Sequence, residues 1–119
     1  MGRREGPSGD ERAQGKLRSL ERLAEEQRKA DVAHVMSSPS GRRFMYDLVF
    51  GKCNLMGTYP GADSGIYRHE GRRQLGVEIA LELQEQHTDA YVLMITERLS
   101  QQKTDKATRD AATLEKIDE

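Results

Sequence analysis

The chain is predicted to be all-α: a small helical bundle of three to four helices with extended, charged N- and C-terminal arms. Three observations predict it. Residues 66–84, IYRHEGRRQLGVEIALELQ, keep an apolar pattern at helical spacing longer than any other stretch. Proline, glycine and serine clusters at residues 37–41 and 54–65 cut the remainder into helix-length pieces. Charged residues make up 33% of the chain and crowd its ends, leaving the apolar residues concentrated between Val32 and Leu99. The expected organisation is a flexible arm (1–15), a charged amphipathic helix (16–30), a helical core module (31–100) and a charged helix-prone tail (101–119).

Residues 1–15 mix Gly, Pro, Ser and charges of both signs, a composition that buries too little apolar surface to offset the entropy of ordering. From Lys16 the sequence becomes helix-forming, with Leu17, Leu20, Leu23 and Ala24 on one narrow stripe. Such a helix suits a bracket laid across a domain or a neighbour better than a core element. Ser37-Ser38-Pro39 marks a boundary, because proline disfavours helical conformation in the residue before it and suits the first helical position. Ser38 is therefore the expected N-cap of a helix over 39–53. That helix holds both phenylalanines, Phe44 and Phe50, and is expected to be the most buried segment.

Residues 54–65, NLMGTYPGADSG, form the longest core connection, in which Tyr59-Pro60-Gly61 is placed to present an aromatic contact. Ser64 is the expected cap of the next helix. Along 66–84, Tyr67, Gly71, Leu75, Ile79 and Leu83 make one row and His69, Arg73, Val77 and Leu81 a second. Between them Gly76 and Ala80 form a shallow groove that admits a close helix neighbour. Each interior glycine costs a helix about 1 kcal/mol relative to alanine, so Gly71, Gly76 and Ala80 are the expected helix-packing positions within the chain, contact with a neighbouring subunit being the alternative. Thr88 is the expected cap of a further helix with Tyr91, Ile95 and Leu99 on one stripe. Beyond Leu99, Thr104-Asp105 permits a last charged helix with Leu114 and Ile117 as isolated apolar points that could dock on a partner, a solvated or frayed tail being the commoner outcome for this composition.

The formal net charge is −1, which gives no bulk attraction to nucleic acid or an anionic membrane. Cys53 is the single cysteine, too few for an internal disulfide framework. His69-Glu70 begins like the helix motif of zinc proteases, but Arg73 stands where the second histidine would lie. No phosphate-binding loop and no Ser-His-Asp arrangement is present. No metal, no cofactor and no catalytic residue is therefore expected.

What remains is arginine. The triplet Gly-Arg-Arg occurs three times, as Arg3-Arg4, Arg42-Arg43 and Arg72-Arg73. Guanidinium forks suit carboxylate or phosphate, so these pairs could hold a neighbour's acidic surface or a DNA backbone; they could equally bond Asp47, Glu70, Glu78 or helix C-termini within the chain. The candidate protein contacts are Arg42, Arg43, Tyr59, Arg72, Arg73, Leu17, Leu20, Leu114 and Ile117.

The pattern S-x-P-x-G-R-R-F from Ser37 to Phe44, followed by Y-R-x-E-G-R-R-x-x-G from Tyr67 to Gly76 and an apolar helix opening D-A-Y at Asp89, resembles a small bacteriophage family. Its members are short proteins encoded among the head and tail assembly genes of short-tailed phages, near portal and scaffold. The resemblance covers residues 31–99. It implies a virion or virion-assembly protein without enzymatic residues; taken with the helical module and its charged arms, the expected function is a structural protein in several copies at the portal vertex or head-tail junction. The implied partners are portal, adaptor, tail, fibre-anchoring or capsid proteins and further copies of itself, with no membrane. The expected location is the virion, and the host cytoplasm during assembly. A transient scaffold-associated or packaging factor and a small helical DNA-binding protein are the alternatives.

Overall fold

In a computed structural model, which describes residues 8–61 and 63–118, the chain is all-α. Four α-helices follow one another: α1 (Gly9–Met36), α2 (Pro39–Tyr46), α3 (Gly65–Gln86) and α4 (Thr88–Asp118), with a π-helical segment, Asp47–Lys52, continuing α2. No strand occurs among the described residues. The chain divides into two compact units between His34 and Val35.

The first unit is α1 up to His34. The helix starts at Gly9, well before the expected Lys16, because Ser8 and Glu11 cap it reciprocally. The Glu11 amide donates to the Ser8 hydroxyl at 3.2 Å and the Ser8 amide donates to the Glu11 carboxylate at 3.1 Å. Residues 9–15, expected in the arm, are therefore helical. Residues 1–7, with the Arg3-Arg4 pair, lie outside the described residues. Every side chain from Ser8 to Asp31 is exposed.

The second unit is built around a joint at residues 35–42. Ser38 is extended (φ −119°, ψ 151°), its hydroxyl accepts from the Gly41 amide at 3.1 Å, and Pro39 occupies the first turn. Gly41 is required there by space, since an added Cβ would lie 1.7 Å from the Val35 carbonyl oxygen.

The sequence predicts one α-helix over 39–53; the structure widens its second half into a π-helix. The Cys53 amide donates to the Leu48 carbonyl at 2.8 Å, five residues back. The wider turn leaves Val49 and Cys53 both buried, facing α3. Tyr46 and Phe50 stack with ring centroids 4.6 Å apart. Phe44, expected in the core, is instead 65% exposed, because Arg42, Val49 and Cys53 take the inward positions.

α3 meets this segment along the groove. Gly76 lies so close that an added Cβ would sit 2.9 Å from the Cys53 Cβ and 3.3 Å from the Val49 carbonyl oxygen, and Ala80 and Leu83 extend the buried line. Gly71 differs: nothing lies within 4 Å of its Cβ position. The expectation that Gly71 serves helix packing within the chain is thus corrected, since it sits on the exposed row with Tyr67 and Leu75. One substitution should then act with opposite signs at the two sites. Gly71→Ala is expected to stabilise the free chain by up to about 1 kcal/mol through helix propensity. Gly76→Ala is expected to destabilise it by about 1–2 kcal/mol, because overpacking outweighs that gain. Urea denaturation of both variants reads the two signs.

α3 ends at His87, and α4 begins directly after it. Thr88 does not cap α4 with its side chain; its hydroxyl donates back to the Gln84 carbonyl at 2.7 Å. α4 packs on α2 and α3, burying Met94, and then runs unbroken to Asp118 in place of a separate tail helix. The core is small: Met36, Val49, Cys53, Ala80, Leu83 and Met94.

Candidate functional site

The expected contact residues separate into those that the fold consumes and those that it leaves outward. Arg42 is consumed. It is 8% exposed, and its Nε and one terminal nitrogen donate to Glu97 Oε1 at 2.9 and 2.7 Å. The other terminal nitrogen donates to the Met36 carbonyl at 2.9 Å. One side chain thus satisfies an orphan carbonyl at the end of α1 while tying α2 to α4. Expected as a partner contact, Arg42 is an internal clasp instead, because the turn at Ser38-Pro39 directs it beneath the end of α1. Its partner, Glu97, lies 55 residues away and was not among the expected acids.

Arg43, the next residue, is exposed, and its side chain makes no hydrogen bond or ion pair among the described residues. It lines a groove of about 450 Å³ with Pro39, Tyr46, Met94, Glu97 and Arg98. Arg98 was missed by sequence reasoning. Its guanidinium lies 4.8 Å above the Tyr46 ring, and a terminal nitrogen is 3.4 Å from Asp47. Its buried Nε has no hydrogen-bond partner among the described residues.

Tyr59, expected to present an aromatic contact, is half-exposed and is held within its own loop. Its hydroxyl donates to Asp63 Oδ1 at 2.5 Å, its ring meets that of His69 at 5.7 Å, and it lies over Gly65 at the start of α3. Ser64 makes no side-chain cap. The same Asp63 oxygen accepts from the Gly65 amide at 2.9 Å and caps the helix in its stead. The loop owes its entry to Asn54, which adopts a left-handed conformation (φ 52°) as asparagine does most readily after glycine.

Hydrogen bonds from Tyr59 and then Gly65 hold the Asp63 carboxyl below its usual pKa, while the same bond to Asp63, followed by burial, raises the Tyr59 phenol. A lowered acid stabilises the fold fully above its unfolded pKa of about 4 and loses that contribution as pH falls through the folded value. A raised phenol contributes fully below about pH 10 and loses it as pH rises further. The stability difference between the wild type and Asp63→Asn is therefore expected to be present at pH 7 and to vanish in the acid limb. Denaturant melts at a series of pH values check it.

Arg72 is exposed without a described partner, and Arg73 makes only a 3.4 Å pair with Glu70, one turn away on the same helix. Leu17 (57%), Leu20 (61%), Leu114 (63%) and Ile117 (72%) are all exposed, as are Tyr67 (80%) and Leu75 (51%). Among the described residues no three His, Cys, Asp or Glu side chains gather at metal-binding reach, and no helix is long and apolar enough to cross a membrane.

The two motifs that carry the phage resemblance thus differ in geometry. Ser38, Pro39, Gly41 and Arg42 of the first build the joint. Tyr67, Gly71 and Arg72 of the second face solvent, where the fold makes no use of them. No family model matches the chain, and no curated protein or solved structure does so either.

Proposed function

We propose that the chain is a non-enzymatic assembly protein of a tailed bacteriophage particle, present in several copies at the portal vertex or head-tail junction. There it would join portal, adaptor, tail or fibre-anchoring proteins. The observation that carries the assembly role is the outward placement of apolar side chains on long helices. Leu17, Leu20, Leu23, Leu99, Leu114 and Ile117 are each 57% exposed or more, while among the described residues only six apolar side chains are buried in the core. Exposed apolar surface on this scale marks sites of association. The exposed row of Tyr67, Gly71 and Leu75 adds to it, because a glycine that nothing within the chain touches leaves room for a partner's backbone. The phage setting is supported by the resemblance of residues 37–44 and 67–76 alone.

A DNA-binding role is less favoured. Of the four arginines in the core triplets, Arg42 is buried against Glu97 and Arg73 is paired with Glu70, leaving Arg43 and Arg72. Mass spectrometry of purified virions tests the proposal. The chain is expected in mature particles at a fixed ratio to the portal protein; its presence only in immature heads would select a departing scaffold-associated factor, and its absence from both would overturn the assembly role.

A further inference from the structure

We infer that α1 pairs with α1 of a second copy, parallel and in register, through Ala13, Leu17, Leu20 and Ala24. This deepens the assembly reading and rests on it only for its setting.

All side chains from Ser8 to Asp31 are exposed, and Leu17, Leu20 and Leu23 are 57–61% exposed. A lone helix draws most of its stability from packing an apolar face, so a leucine stripe with nothing upon it is an unfinished element. Ala13, Leu17, Leu20 and Ala24 are spaced by four, three and four residues, the seam of a two-stranded coiled coil. Placing Leu17 at position a and Leu20 at d puts Lys16 at g and Glu21 at e, and Leu23 at the next g, where it flanks the seam.

Charge selects the occupant and its direction. In a parallel pair, g of one helix faces the following e of the other, so Lys16 meets Glu21 of the second copy, and the symmetry supplies the contact twice. An antiparallel pair sets e against e and g against g, and this complement is lost. Within one helix residues 16 and 21 are five apart and do not face each other, so any coupling between them is between copies.

Two experiments on the full chain test the pairing. Under mild oxidation Leu20→Cys is expected to give a disulfide-linked dimer, and Arg22→Cys, on the outer face, is not. The wild type is the blank, because Cys53 is buried. In sedimentation equilibrium, Lys16→Glu or Glu21→Lys alone is expected to weaken the dimer about fivefold, and the double exchange to restore it. A monomeric wild type, equal cross-linking at both positions, or a double exchange no better than the singles would overturn the pairing. Each result is read on the purified chain, so it stands or falls apart from whether virions contain the protein.

Discussion

Gly41→Ala is expected to be the most damaging small substitution in the second unit. The new methyl group would meet the Val35 carbonyl oxygen at 1.7 Å, and this neighbour is backbone at the end of α1, not a side chain free to swing away. Relief requires moving the end of α1 or the first turn of α2, and either motion pulls apart the Ser38 cap and the bond from Arg42 to the Met36 carbonyl. The loss should exceed the roughly 3 kcal/mol at the upper end of ordinary overpacking. For a unit of this size, that lowers the melting temperature by about 15 °C or more. Gly15→Ala, at a site with open space, should leave the midpoint unchanged or raised. Thermal melts of the two variants beside the wild type decide it, and a Gly41→Ala midpoint within a few degrees of the wild type would refute the joint.

The second large effect is at the clasp. Glu97→Ala removes the carboxylate that takes two bonds from Arg42 and leaves a guanidinium under the end of α1 with only the Met36 carbonyl. Stripping one partner from a buried pair costs about 3–5 kcal/mol. Glu97 is itself one-third exposed, so water reaches the site and the expected loss is near the lower figure, about 3 kcal/mol. Arg42→Met in the Glu97→Ala background removes the stranded charge and should recover part of the loss. A double-mutant cycle in urea measures the coupling, and additive losses would show that the two side chains do not act together.

The first effect arises within a few residues of chain and the second between residues 55 apart, and this difference explains what the sequence made legible. The helices along 39–46 and 66–84, the Ser38 cap and the close approach at Gly76 followed from local spacing and turn chemistry. The partner of Arg42 did not. Asp47, Glu70 and Glu78 were nearer in sequence or better placed on helix rows, and nothing in local spacing points to a glutamate 55 residues away. The π-helix was illegible because it has no propensity signature: Asp47–Lys52 reads as ordinary helix, and its contact with Gly76 comes from a separate helix. The early start of α1 was legible in principle, since Ser8 and Glu11 have capping-box spacing, but the Gly, Pro and charge content around them pointed to an arm. Arg42 was read as outward because arginine in a pair is a common contact. Here a helix end and Glu97 turned it inward, while Tyr59 is tied to a neighbouring aspartate at the surface.

The candidate surface that remains is the part that the fold does not use: the leucine stripe of α1, the row of Tyr67, Gly71 and Leu75 on α3, and the outer points of α4. Hydrogen exchange on the purified chain, repeated on the chain held in purified particles, tests most directly whether these faces await partners. Residues 67–75 and 99–117 are expected to become markedly slower on assembly, while the already buried line from Gly76 to Leu83, and the stripe at 13–24 already paired in the free dimer, change little. Equal exchange in both states along 67–75 and 99–117 would contradict the account.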